Sequence, residues 1–315
     1  MTKAEILQVG AYPEWDQGPL DELFTMHRLF EADDKAAFVS KVSPNIRGIA
    51  TRGELGANRA LIDALPNLEI VSVYGVGYDA VDVQACRARG ITITNTPDVL
   101  TDDVADMAVA MMLALGRGVV PAEHWARSGA WKQKGGFPLR HRVNGKRAGI
   151  LGLGRIGYAV GRRLAGFTTS IAYCSRTAKP LVEDWQYIND AVELAQWADM
   201  LFVTLAATPE TRHIVGREVL EALGPDGLLI NVSRAANVDE DALLDLLEER
   251  AIGGAALDVF EGEPNLNPRF PKLDNVLLQP HIGSGTVETR KAMGKLVRDN
   301  LQAHFEGTAP LTPVI

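Results

Sequence analysis

Three ionisable side chains in the second half of the sequence each follow an apolar run of strand length. Arg234 follows Leu228–Ser233, Glu263 sits in Phe260-Glu261-Gly262-Glu263-Pro264, and His281 sits in Gln279-Pro280-His281-Ile282-Gly283-Ser284. Open α/β sheets gather ligands at the carboxyl ends of their strands, so the three are expected along one edge. Their chemistry is complementary. An imidazolium titrates near working pH and can hand a proton to a carbonyl oxygen as a hydride arrives, the role expected of His281. A carboxylate beside it stabilises the charged ring and fixes its orientation, which suits Glu263. A guanidinium grips a substrate carboxylate and polarises its carbonyl, which suits Arg234. Together they meet the needs of reducing a small 2-oxo acid.

A hydride source is legible upstream. Gly152-Leu153-Gly154-Arg155-Ile156-Gly157 follows the apolar run Ala148–Leu151 and opens a helical stretch, the context in which G-x-G-x-x-G marks a dinucleotide site. The first glycine permits the tight turn, the second lets the pyrophosphate approach the backbone, and the third lets helix and strand pack closely. The helix N-terminus then offers unpaired N–H groups to the phosphates. At the end of the next strand, Tyr173–Thr177, an enzyme selective for NAD would place an acid for the ribose 2′-hydroxyl. Ser175, Arg176 and Thr177 stand there instead, with Lys179 close by. That set suits a 2′-phosphate, so NADPH/NADP+ is the expected cofactor.

The elements that must position these groups follow an alternating pattern. A chain of 315 residues fits two domains better than one. Apolar runs alternate with amphipathic stretches as far as about Val276, the pattern of parallel strands with crossover helices. Strands are predicted at Ile6–Val9, Gly48–Ala50, Ile70–Val73 and Ile91–Thr94, with helical segments such as Leu20–Ala32 between them. A second series runs Arg147–Gly152, Ser170–Cys174, Met200–Thr204, Leu228–Val232, Gly254–Asp258 and Val276–Gln279, six strands that fill a dinucleotide-binding sheet. Asp102–Gly116 has apolar side chains on nearly every face and is expected as a buried helix between the lobes. One amphipathic helix, Val287–Phe305, is predicted to return to the first lobe. The fold expected is α/β, two doubly wound parallel-sheet domains. A Rossmann domain at 98–285 is inserted into a discontinuous, flavodoxin-like substrate domain at 1–97 and 286–315.

Composition narrows the class. With 46% hydrophobic and 23% charged residues the chain is globular, and its longest apolar stretch, Val104–Leu115, falls short of the roughly 20 residues a bilayer crossing needs. No cleavable signal pattern precedes it. Cys86 and Cys174 lack metal-type spacing and fit a reducing compartment, so a cytoplasmic location and no metal are expected. A net charge of −8 opposes nucleic acid and anionic membranes as partners.

The chain resembles the D-isomer-specific 2-hydroxyacid dehydrogenase family from about Ile46 to its end. The likeness is carried by Gly152–Gly157, Val232-Ser233-Arg234, Ala256-Leu257-Asp258-Val259-Phe260, Glu261-Gly262-Glu263-Pro264 and Pro280-His281-Ile282-Gly283-Ser284. More narrowly, the stretch Asn95–Asp106 and the stretch Gly283–Arg290 are similar to the glyoxylate/hydroxypyruvate and hydroxyphenylpyruvate reductase branch, which generally prefers NADPH. The resemblance implies that Arg234, Glu263 and His281 are catalytic and that the product is the D acid. It also implies that Tyr74-Gly75-Val76-Gly77 supplies backbone N–H groups, those of Val76 and Gly77, to the substrate carboxylate. Thr101 and Asp258 would lie near the nicotinamide, although Asp258 also reads as a turn cap. Trp131, Phe137 and Leu139 fall where the family joins two subunits, so a homodimer is implied, with core packing the other reading. Arg234-Ala235-Ala236-Asn237 departs from relatives that carry glycine and proline after the arginine, which leaves the loop's shape open.

Other residues carry plainer readings. His213 follows a turn and reads as structural or near the ribose, while His124 and His141 lack an acidic partner. Arg52 reads either as a contact to the substrate tail or as a solvated loop arginine. Two rival functions remain open on these residues: a reductase of hydroxyphenylpyruvate or 2-ketogluconate, and a nucleotide-sensing corepressor-like protein. The absence of basic regions speaks against the corepressor.

Overall fold

Five parallel strands, β1 (Glu5–Gln8), β2 (Thr25–Arg28), β3 (Ile46–Arg52), β4 (Ile70–Tyr74) and β5 (Thr92–Thr94), form a sheet in the order β2-β1-β3-β4-β5. They come from a computed structural model that describes residues 3–167, 170–180 and 183–315. The chain divides into two compact units, Met1–Leu100 with Gly285–Ile315, and Thr101–Ser284. In the first unit β4 is buried along its whole length and β3 nearly so. This is the burial expected where helices cover both faces of a parallel sheet, and it makes the strands read as continuous apolar runs.

Four helices connect the strands: α1 (Glu14–Leu23), α2 (Lys35–Val42), α3 (Arg59–Asp63) and α4 (Val83–Ala88). The last three are capped at their N-termini by Asp34, Asn58 and Asp82, each of which accepts a backbone N–H two or three residues into the helix. The helix predicted over Leu20–Ala32 is not one helix. α1 ends at Leu23, and Thr25–Arg28 forms the edge strand β2, followed by a single 3₁₀ turn at Leu29–Glu31. Leu20 and Phe24, about one helical turn apart, are both buried. Pairing of Glu5–Gln8 with Thr25–Arg28 overrides that periodicity.

The C-terminal helix, Val287–Phe305, belongs to the same unit and buries Met293, Val297 and Leu301. Thr286 caps it, Tyr74 Oη donates to the Arg290 carbonyl at 2.7 Å, and Thr289 Oγ1 donates to the Val99 carbonyl at 3.2 Å. The buried Asp16 of α1 pairs with Arg298 at 2.5 Å. Gly294 makes the close approach of α1 possible, because a Cβ there would overlap the Asp16 carboxylate.

The second unit holds seven parallel strands: β6 (Ala148–Leu151), β7 (Ile171–Cys174), β8 (Gln186–Tyr187), β9 (Met200–Val203), β10 (Leu228–Asn231), β11 (Gly254–Leu257) and β12 (Val276–Leu278). Their order is β12-β11-β10-β9-β6-β7-β8, a doubly wound sheet whose winding reverses between β6 and β9. All six predicted strands are present. The seventh, β8, has two residues and lies on the sheet's edge, too short to carry an alternating pattern. Helices α5 (Thr101–Arg117), α6 (Val119–Arg127), α7 (Ala130–Lys134), α8 (Arg155–Leu164), α9 (Ala191–Trp197), α10 (Arg217–Leu223) and α11 (Glu240–Glu248) complete the unit. Buried residues of α5 are Val104, Ala105, Ala108, Val109, Met111 and Met112, and the helix packs on α8, β10 and β11. Its other face is polar: Asp102 and Asp106 pair with Arg163 at 3.0 and 2.5 Å. No single helix among the described residues is long and apolar enough to cross a membrane.

Candidate active site

The glycine turn sits at the reversal point of the seven-stranded sheet, between β6 and α8. Gly152 has φ of +102°, and a Cβ there would come within 2.8 Å of the Leu205 nitrogen. A Cβ on Gly157 would overlap the Gly152 carbonyl oxygen, so α8 can leave the strand this closely only with glycine at that position. Thr204 Oγ1 ties the turn down by donating to the Gly152 carbonyl at 2.6 Å. Gly154 differs: nothing lies within 4 Å of where its Cβ would be. Its lack of a side chain is therefore not demanded by the protein's own packing and keeps clear the approach to the turn's backbone. Gly154 caps α8 without a side-chain bond, and no acid stands in the first turn. Leu153, Arg155 and Ile156 complete a cradle of helix-terminal N–H groups that fits a pyrophosphate.

One strand over, β7 ends at Cys174, and Arg176, Thr177 and Lys179 are exposed beyond it. Ser175 Oγ donates to the Thr177 carbonyl at 2.7 Å, and Tyr187 Oη donates to the Ser175 carbonyl at 3.2 Å, which holds the loop. An acid lies close enough to Arg176 to feel its charge. Glu210, in the loop after β9, has its carboxyl held below the usual range by the Thr208 hydroxyl and its own backbone N–H, with the charge of Arg176 adding to the effect.

Arg234, Glu263 and His281 follow β10, β11 and β12. His281 Nδ1 is 2.7 Å from Glu263 Oε2, while Glu263 Oε1 accepts the Phe260 N–H at 2.8 Å. Burial pushes the Glu263 carboxyl up. The hydrogen bonds from His281 and Phe260, with the nearby charges of His281 and Arg234, outweigh that and hold it below its ordinary value. Glu263 is thus an anion at neutral pH that engages one ring nitrogen and leaves Nε2 as the end of the imidazole able to meet a ligand.

The loop under His281 is fixed by Asp258, only 2% exposed, whose two carboxylate oxygens accept the N–H groups of Ile282 at 2.7 Å and Gly283 at 2.8 Å. Burial pushes the Asp258 carboxyl up against those bonds. His281 itself has φ of +55°, a conformation rare for a side-chain-bearing residue, and this clamp helps to hold it. Asp258 therefore does more than cap a turn locally, since it reaches across to the loop after β12.

The Arg234 loop is built by amides that sequence reading overlooked. Buried Asn231 accepts the Ser233 N–H at 3.0 Å and donates to the Arg234 carbonyl at 3.1 Å. Buried Asn237 donates to Ser233 Oγ at 3.1 Å and to the Leu205 carbonyl at 3.2 Å. Ala235–Asn237 forms one 3₁₀ turn, which gives the shape of the unusual Arg234-Ala235-Ala236-Asn237 stretch. His213 braces the same loop, its N–H donating to the Ala236 carbonyl at 2.8 Å. Its Nε2 lies 3.7 Å from Glu261 Oε1.

In the first unit, the loop after β4 carries Val76 and Gly77. Gly75 N–H donates to Thr96 Oγ1 at 3.0 Å and Asn95 Nδ2 donates to the Val76 carbonyl at 2.8 Å. The N–H groups of Val76 and Gly77 have no hydrogen-bond partner among the described residues. Thr101 begins α5 in the second unit. Trp131 and Leu139 are 67% and 99% exposed, which removes core packing as their role, while Phe137 meets Trp125 edge to face with ring centroids 5.9 Å apart.

Comparison with known proteins places this arrangement. Residues 109–283 match the family model described as D-isomer specific 2-hydroxyacid dehydrogenase, NAD binding domain. The chain is 48% identical over 94% of both lengths to hydroxyphenylpyruvate reductase of Plectranthus scutellarioides. Among solved structures it is 66% identical to a 2-hydroxyacid dehydrogenase from Ketogulonicigenium vulgare, covering 100% of this chain and 99% of that one with a TM-score of 0.93. It is 44% identical, over 99% and 97% and with a TM-score of 0.94, to an NADPH-dependent glyoxylate/hydroxypyruvate reductase from Sinorhizobium meliloti solved with NADP and malonate. With the glycine cradle, the strand-end triad and these likenesses in agreement, the chain belongs to the D-isomer specific 2-hydroxyacid dehydrogenase family and is an oxidoreductase of that family.

Proposed function

We propose that this protein reduces a small 2-oxo acid, glyoxylate or hydroxypyruvate, to the D-2-hydroxy acid with NADPH. The observation that carries the reading is the 2.7 Å contact between His281 Nδ1 and Glu263, which leaves Nε2 to deliver a proton. NADPH supplies the hydride when bound. In this reading the turn Gly152-Leu153-Gly154-Arg155-Ile156-Gly157 holds its pyrophosphate, and Ser175, Arg176 and Thr177 hold the 2′-phosphate. Thr101 and Asp258 flank the nicotinamide, Asp258 through the loop it clamps. Arg234 receives the substrate carboxylate and polarises the carbonyl, the Val76 and Gly77 N–H groups also serve the carboxylate, and His281 protonates the carbonyl oxygen. Thr101–Ser284 would be the nucleotide domain and the remainder the substrate domain. The buried free thiols Cys86 and Cys174 support a cytoplasmic setting, and the exposed Trp131 and Leu139 support a homodimer.

The test is NADPH oxidation with glyoxylate, hydroxypyruvate, pyruvate, phenylpyruvate and 2-ketogluconate. Turnover of glyoxylate and hydroxypyruvate is expected, with a much lower KM for NADPH than for NADH that Arg176→Ala erodes. Absence of turnover with every acid would favour a nucleotide sensor and sink the proposal. Equal use of NADH would remove the cofactor assignment. Hydroxyphenylpyruvate is the second substrate to try, on the strength of the Plectranthus relative.

A further inference from the structure

The sheet of the first unit has a winding reversal of its own, between β1 and β3. Loops leaving the carboxyl ends of those strands diverge, which is where doubly wound sheets open a ligand crevice. Arg52, the last residue of β3, stands at that edge, followed by Glu54 and Leu55. Arg52 Nε lies 2.6 Å from Glu54 Oε1, and the two side chains remain 42% and 37% exposed. The pair is seated. The Arg52 stem and Leu55 cover Gly10 so closely that a Cβ there would lie 3.2 Å from Arg52 Cδ and overlap Leu55 Cδ1. Tyr12 Oη donates to the Thr51 carbonyl at 2.9 Å, its ring lies 4.7 Å from that of Tyr74, and Tyr74 is the register partner of Arg52 across β3 and β4.

The same edge carries the unpaired N–H groups of Val76 and Gly77. The two loops abut, since a Cβ on Gly75 would lie 3.6 Å from Gly53 Cα. Adjacent strands are about 4.8 Å apart, roughly the span of a five-carbon chain. A carboxylate held at Val76 and Gly77 therefore leaves the tail of its own molecule within reach of the Arg52–Glu54 pair.

The pair's chemistry selects the tail. A guanidinium with spare donors beside a carboxylate with spare acceptor sites matches hydroxyl groups, which donate and accept at once. A second carboxylate on the ligand would meet repulsion from Glu54, and an aryl ring, although able to stack on the guanidinium, would desolvate Glu54 without offering it a donor. We propose that Arg52 and Glu54 form a specificity subsite for hydroxyl groups on the substrate tail, so that the protein favours polyhydroxylated, sugar-derived 2-oxo acids over aromatic or dicarboxylic ones. This rests on the reading of the chain as a 2-oxo acid reductase.

Steady-state kinetics of the full-length protein with NADPH and glyoxylate, 2-ketogluconate, phenylpyruvate or 2-oxoglutarate tests it. Arg52→Leu is expected to lower the kcat/KM ratio of 2-ketogluconate to glyoxylate at least tenfold, mainly through KM. Glu54→Gln, which keeps the guanidinium, is expected to lower that ratio as well and to raise 2-oxoglutarate relative to 2-ketogluconate. Fluorescence titration with NADPH checks that each variant is folded, and the two variants test the subsite independently. An unchanged ratio in both would overturn the subsite. Wild-type turnover of glyoxylate without 2-ketogluconate would overturn it while leaving the reductase assignment standing, and no turnover of any acid would remove both.

Discussion

At the level of single residues, the most informative contrast lies between two glycines three positions apart. Gly157 is required by the fold, because its Cβ would overlap a carbonyl oxygen, whereas Gly154 has open space where a Cβ would go. Gly157→Ala is therefore expected to lower the melting temperature and to weaken NADPH binding together. Gly154→Ala should leave the melting temperature of the free protein within about a degree or two, since a surface change away from strained features moves stability by about 0.5 kcal/mol or less, yet raise the Kd for NADPH at least tenfold. Calorimetry and fluorescence titration separate the two, and equal NADPH affinity in Gly154→Ala would show that no phosphate approaches there. The acid–base pair gives a second contrast. His281→Asn is expected to lower kcat by about 10²–10⁴-fold, the usual worth of a positioned proton donor. Glu263, held below its ordinary value, is already ionised at neutral pH and stays so until the pH falls well into the acid range. It therefore cannot set the alkaline limb of the pH–rate profile. Glu263→Gln removes the carboxylate that holds ring Nδ1 and is expected to lower kcat while leaving the Kd for NADPH little changed, as steady-state kinetics beside fluorescence titration would show. An unchanged kcat in that variant would argue against Glu263 as the residue that orients His281.

Elements differ in how plainly the sequence announces them, and burial explains the difference. β3, β4, β6, β9, β10 and β11 are apolar runs because helices cover both faces of their sheets, so they were legible. β2 and β8 are edge strands, only partly buried, and their identity depends on a neighbouring strand that sequence pattern cannot see. The site follows the same division. Arg234, Glu263, His281 and the glycine turn could be read from residue type and place, whereas Asn231 and Asn237 act through contacts made only in the folded chain. Such contacts also explain Gly294, which reads as an unfavourable residue in the middle of a helix until Asp16 is found against it. Gly294→Ala should push α1 from the C-terminal helix and break the buried Asp16–Arg298 pair, a loss of about 3 kcal/mol or more. Gly18, inside α1, has nothing within 4 Å of its missing Cβ, so Gly18→Ala should stabilise by about 0.5–1 kcal/mol. Urea titrations of both variants decide the matter. Equal effects would mean that the α1 contact is not as tight as the geometry requires.

For the molecule as a whole, the segment around α6 and α7 poses the main physical problem. Val119 and Val120 are 52% and 54% exposed, Trp131 is 67% exposed and Leu139 99%, and neither helix buries a single residue within its own chain. Isolated apolar side chains on a surface need no explanation, but four large ones within one short stretch do. A second copy of the chain is the occupant proposed for this face. Two chains that each carry a net charge of −8 repel one another, so association must come from apolar burial rather than attraction between net charges. Two consequences follow for sedimentation and thermal melting. Added salt should strengthen the dimer by screening the repulsion, the reverse of what an interface held by ion pairs would do. The melting temperature should also rise with protein concentration, because mass action favours whatever binds only the folded chain. Replacing both Trp131 and Leu139 with glutamate buries two new charges in each copy's half of the contact and should yield a monomer whose melting temperature no longer depends on concentration. A wild-type protein that sediments as a monomer at micromolar concentration, or a double variant that still sediments as a dimer, would rule out this face as the contact.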